Sequence, residues 1–165
     1  MSGLSHYDET GAVSMVDVGS KAATRRSATA RGFVKIRAEV LAALPDNPKG
    51  NPMEVARIAG IQAAKKTADL IPLCHPLPLT HADVSTELRG DGVAITATAS
   101  TFGVTGVEME AMTAVAVASL TVYDMCKALD KGIEIREVVL VEKTGGKSGR
   151  YLRGPASEPD RTIPA

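Results

Sequence analysis

Residues 106–131, GVEMEAMTAVAVASLTVYDMCKALDK, decide the fold. At 100° per residue they read as a helix that is apolar on nearly every side, and such a helix is normally covered on every side. Yet the same stretch carries Glu108, Glu110, Asp124 and Lys127. Buried ionisable groups cost several kcal/mol each unless they are paired or hydrogen-bonded. The helix therefore either locks these groups into ion pairs or uses them.

Working outward, the residues before this helix form two alternating runs. Ala82, Val84, Thr86 and Leu88 oppose Asp83, Ser85, Glu87 and Arg89, and Val93, Ile95, Ala97 and Ala99 oppose Thr96, Thr98 and Ser100. Period two is the signature of a half-buried strand, and Arg89-Gly90-Asp91-Gly92 between the runs is a hairpin turn. After the helix, residues 133–143 read as another strand. Further upstream, 28–36 alternates as a strand, 37–44 is a short helix stopped by Pro45, and 53–70 has helical spacing. Pro72, Pro76 and Pro78 make IPLCHPLPL a stiff extended loop. Strand, helices, strand, strand, helix, strand predicts an α+β, ferredoxin-like split βαβ domain: a four-stranded antiparallel sheet with long helices on one face. Residues 1–14 read as a flexible leader, 15–150 as one domain and 151–165 as a flexible tail.

Bulk composition narrows the classes of function. Nineteen basic and 19 acidic residues leave no net charge, which argues against a general binder of nucleic acid or membrane surfaces. No run approaches the ~20 apolar residues of a membrane span, and Cys74 and Cys126 alone make no disulfide framework, so a reducing cytoplasm is expected. Aromatic residues are only 3% of the chain, so small Ala, Val and Gly contacts must do the packing. Close packing of small residues over flat surfaces suits a homo-oligomer. RNA recognition on this topology would need sheet-borne aromatics for base stacking, and the strands offer only Phe33 and Phe102.

Three places can carry chemistry. Asp124 and Lys127 stand at i, i+3 and can touch. Their apolar neighbours would desolvate both, pulling the lysine pKa down while the aspartate pulls it back, which is how a lysine becomes a proton shuttle. Glu110 lies about 21 Å further up the helix axis, so a site using both ends needs two subunits. In LCHPL, His75 is held between prolines beside Cys74, but the Cys and His spacing does not suit structural zinc. In KTGGKSG, Lys143–Gly149, glycines and lysines suit a phosphate cradle, although the Walker A pattern is not met. Local cations on a neutral protein favour a small anion, and proton transfer on a phosphorylated ligand is the chemistry that fits.

The strings MVDV at 15–18, KG at 49–50, ARIAGIQAAK at 56–65, LIPLCHPL at 70–77, TGVEMEA at 105–111, YDMCKA at 123–128 and GGKSG at 145–149 resemble one family in order. It is the cyclic pyranopterin monophosphate synthase (MoaC) family, the C proteins of molybdenum cofactor biosynthesis. The resemblance implies a lyase that converts (8S)-3′,8-cyclo-7,8-dihydroguanosine 5′-triphosphate to cyclic pyranopterin monophosphate and releases diphosphate. It implies a homohexamer built as a trimer of dimers, with active sites at the dimer interface. It also implies that Asp124, Lys127 and Lys49 are catalytic, and that Leu73, Cys74, His75, Met109 and Glu110 contact substrate. Glu108, Arg26 and Lys147 would line the pocket, with the choice between Arg25 and Arg26 for phosphate left open. No protein-bound metal or cofactor is expected, and magnesium would enter only as a counter-ion of the triphosphate. A non-catalytic sensor of a phosphorylated ligand is the alternative, which would need Glu110 and His75 but not the Asp124/Lys127 pair.

Overall fold

A computed structural model of the chain describes Tyr7 and residues 10–154. The elements run β1 (Thr24–Lys35), α1 (Ala38–Ala42), a 3-10 turn (Leu44–Asp46), α2 (Pro52–Lys65), α3 (Thr67–Leu70), β2 (Leu79–Arg89), β3 (Gly92–Gly103), α4 (Glu108–Cys126), β4 (Glu134–Thr144) and β5 (Tyr151–Leu152). The sheet order is β2-β3-β1-β4-β5, antiparallel throughout. The first four strands give the ferredoxin-like order. The fifth is an addition: Tyr151 and Leu152 pair with Lys143 and Glu142 where a tail was expected. So short a strand leaves almost no period-two pattern to read. Of the expected leader, residues 1–6 and 8–9 lie outside the described residues, as does the tail from 155 onward.

Alternation assigns the two faces of the sheet. Ala28, Ala30 and Val34 of β1, Val93, Ile95, Ala97 and Ala99 of β3, and Val84 of β2 are buried against the helices. Ala and Val dominate this core, so the helices approach the sheet closely. Gly32 marks the tightest point: a Cβ there would stand 2.6 Å from Val115 Cγ1 and 2.8 Å from the Glu137 carbonyl. Val115 is fully buried at this crossing, worth about 1.5–3 kcal/mol for a side chain of its size. Ser119, also fully buried, spends its hydroxyl on the Val115 carbonyl at 2.8 Å, so α4 buries it at little cost.

Two helices differ from the sequence reading. The expected helix at 53–70 is interrupted at Lys66, where φ is −113° and ψ is 14°. The Thr67 hydroxyl donates to both the Ala63 and Ala64 carbonyls and competes for the groups that would continue the ladder. The long apolar helix is not covered all round. Its inner side, from Ala111 through Val122 to Cys126, is buried, whereas Leu120 is 57% exposed. Among the described residues, no helix is long and apolar enough to cross a membrane.

Candidate active site

Two separate groups of candidate functional side chains gather at the two ends of α4. At the N-terminal end, the proline-stiffened loop between α3 and β2 lies beside the first turn of the helix. Cys74 N donates to the Ile71 carbonyl, and the Thr101 hydroxyl holds the Pro78 carbonyl at 2.7 Å. Between loop and helix is a cavity of about 320 Å³. The loop contributes Leu73, Cys74 and His75, and the helix contributes Glu108, Met109 and Glu110. Val16, Val18 and Lys21, from the segment before β1, close a third side.

Charge in this cavity is arranged unevenly. Glu108 is paired with Lys143 at 3.0 Å, both about one-quarter exposed. Glu110 is only 4% exposed, and burial, followed by the nearby Glu108, pushes its pKa upward against a backbone hydrogen bond that lowers it. A carboxyl in that condition gains when a ligand brings N–H donors to replace lost water. Burial also raises the Cys74 thiol, with Glu110 adding to the effect, so Cys74 is a poor nucleophile here.

Arg26 closes the same end of the molecule. It lies on the helix-bearing side of β1, where its Nε donates to the Gly103 carbonyl at 2.9 Å and its Nη2 to the Val104 carbonyl at 3.2 Å. The loop after β4 packs on it: Gly145 and Gly146 adopt φ of +93° and +73°, and any Cβ at Gly146 would collide with the Arg26 guanidinium. Arg25 is exposed on the opposite side of the sheet. Lys147 is exposed on this glycine loop and does not line the cavity.

At the C-terminal end, Lys49, Asp124 and Lys127 converge. Lys127 Nζ is 2.6 Å from Asp124 Oδ1, and Lys49 Nζ is 3.6 Å from Asp124 Oδ2 and 3.0 Å from the Asp124 carbonyl. The helix C-terminus favours both cations. The expected desolvation of the pair is not found: the Asp124 and Lys127 side chains are 58% and 49% exposed. The last turn of α4 carries them on its uncovered side. Of the two opposing effects expected on the lysine, the pull of Asp124 prevails, and its hydrogen bond raises the Lys127 pKa. The same bond, with both lysines, holds the Asp124 carboxyl below its ordinary value.

The structure thus brings Leu73, Cys74, His75, Glu108, Met109 and Glu110 together at one end with Arg26 close by, and Lys49, Asp124 and Lys127 together at the other. It does not bring the two groups together within one chain. Among the described residues, no three His, Cys, Asp or Glu side chains are grouped to hold a metal.

The sequence model of the MoaC family matches residues 15–146, which spans the cavity and the charge cluster alike. The chain belongs to the MoaC family. Curated relatives agree. The chain is 57% identical over 157 residues to the cyclic pyranopterin monophosphate synthase of Cereibacter sphaeroides, covering 92% of this chain and 98% of that protein. It is 57% identical over 153 residues to the protein of the same name from Novosphingobium aromaticivorans, with 92% and 98% covered. For the Roseiflexus sp. protein of that name the identity is 54% over 156 residues, with 92% and 99% covered. Within this MoaC-family chain, one cavity residue escaped the sequence reading: Lys21 lines the cavity six residues after the MVDV string begins, and that string was the available signal.

Proposed function

We propose that this MoaC-family chain is a phosphorus–oxygen lyase of molybdenum cofactor biosynthesis. It converts the cyclised GTP derivative, (8S)-3′,8-cyclo-7,8-dihydroguanosine 5′-triphosphate, to cyclic pyranopterin monophosphate and diphosphate. The observation that carries the reading is the Lys49–Asp124–Lys127 cluster, which adds proton-transfer groups to a chain that already has a ligand cavity.

The two groups stand about 21 Å apart along α4, so one triphosphate-sized site needs two chains. The cluster of one subunit faces the cavity of its partner in a dimer, and three such dimers make a hexamer. Leu120, exposed on the same helix between the two ends, supports this packing. Closing the partner cavity over the cluster removes water and turns the exposed Asp124–Lys127 pair into a tuned one.

In that site Glu110 and Glu108 accept the guanine-derived N–H groups. Leu73 and Met109 give apolar walls, and Cys74 and His75 complete the contact. Arg26 and Lys147 face the phosphates, and any magnesium arrives with the triphosphate. Ring opening and reclosure move protons between nitrogen, carbon and oxygen, which is work for Asp124, Lys127 and Lys49. In the phosphate step a sugar hydroxyl oxygen bonds to the α-phosphorus and gives its proton to the cluster. The bond from that phosphorus to the departing diphosphate breaks, and its electron pair leaves with the diphosphate, whose charge the cations stabilise. Cys74 and Cys126 are free thiols, which fits a cytoplasmic enzyme.

Diphosphate release from the cyclised GTP derivative tests this reading. Wild type should release it, and Lys127→Ala at equal oligomer content should be slower by about a hundredfold or more. Tight binding with no release by either protein would replace the lyase with a sensor.

A further inference from the structure

The C-terminus of α4 is held by a loop from elsewhere in the chain. The last carbonyls of a helix have no partner within it and must find one outside. Here the Tyr123 carbonyl still accepts from Lys127 N, and the Cys126 carbonyl accepts from Leu129 N. The two between them are taken by the loop that precedes α2: Lys49 Nζ donates to the Asp124 carbonyl at 3.0 Å, and Asn47 Nδ2 donates to the Met125 carbonyl at 3.0 Å.

Asn47 uses both ends of its amide. While Nδ2 grips α4, Oδ1 accepts from the backbone N–H of Lys49 at 2.9 Å. The Asn47 carbonyl accepts from Gly50 N at 3.0 Å, and Gly50 takes φ of +91°, which closes the turn. One short side chain therefore fixes the backbone of Lys49 relative to the last turn of α4. Lysine has a flexible four-carbon stem, so its ammonium is placed reliably only when its backbone is held. Asparagine suits the task because it carries a donor and an acceptor on one short stem.

We propose that Asn47 is a positioning residue, whose amide holds Lys49 against Asp124 for the lyase reaction. This rests on the function proposed above. Asn47 touches neither Asp124 nor Lys127 through its side-chain hydrogen bonds, so its effect on the chemistry passes through Lys49.

Steady-state turnover of the cyclised GTP derivative tests this, with rates taken per folded oligomer. Asn47→Ala removes both hydrogen bonds. It should lower kcat by about tenfold to a hundredfold, with KM within about threefold of wild type, as expected when a reacting group is misplaced by a fraction of an ångström to about 1 Å. Asn47→Asp keeps the acceptor for Lys49 N but sets a carboxylate against the Met125 carbonyl, so it should fall between wild type and Asn47→Ala. Acetylation of Lys49 by acetic anhydride, read by mass spectrometry, should be faster in Asn47→Ala than in wild type. Wild-type kcat in Asn47→Ala, or a loss confined to KM or to thermal stability, would overturn the positioning role while leaving the lyase standing. No turnover by wild type would overturn the lyase and the positioning role with it.

Discussion

Glu110 is the single charged residue among the buried ones described in the core, and its position has a consequence for pH. Its folded pKa lies above the ordinary value of 4.5 because burial disfavours the charged form. Below about pH 4.5 the carboxyl is protonated whether the chain is folded or not, and it costs nothing. As pH rises the unfolded chain gives up the proton first, so stability falls until the folded carboxyl ionises too, and then stays level. Glu110→Gln should therefore melt at a higher temperature than wild type near neutral pH, and the gap should close as pH falls toward 4.5. Parallel melting curves across that range would mean that Glu110 ionises freely in the fold. The sequence made Glu110 legible because a carboxylate in an apolar helix stands out. It misplaced Asp124 and Lys127 in the buried interior, because the apolar residues around them say nothing about which side of the last turn is uncovered.

At the scale of elements, small residues set how closely the helices pack. Where α2 crosses α4, a Cβ on Gly60 would stand 2.9 Å from both the Ala114 carbonyl and Val84 Cγ2, and 3.3 Å from Ala118 Cβ. Gly60→Ala would gain about 1 kcal/mol of helix propensity. Overpacking against a backbone carbonyl and a buried valine costs about 1–3 kcal/mol, so the crossing clash should win. Urea unfolding should show a net loss of about 1 kcal/mol, and an unchanged or raised midpoint would show that the helices separate freely. The strands and the two long helices were readable from their periods alone. The break at Lys66 was not, because it depends on a threonine hydroxyl finding carbonyls in the preceding turn. The two-residue β5 was too short for any period.

Across the whole molecule, the cavity with its proposed ligand contacts and the charge cluster with its proposed proton-transfer groups sit at opposite ends of one helix. That separation was legible in the sequence, since helical rise alone puts Glu110 and Asp124 about 21 Å apart. How the Lys49 loop reaches the far end was not, because 75 residues separate Lys49 from Asp124. In the proposed dimer each active site is a product of two chains, and mixing two inactive variants tests that most directly. Glu110→Gln loses the cavity carboxylate, and Lys127→Ala loses the proton-transfer lysine. Co-assembled by unfolding and refolding together, half of the dimers pair unlike chains, and one of the two sites in each is intact. Diphosphate release from the cyclised GTP derivative should then recover to about a quarter of wild type, while each variant refolded alone stays inactive. No recovery in demonstrably mixed oligomers would contradict the account and place the complete site within a single chain.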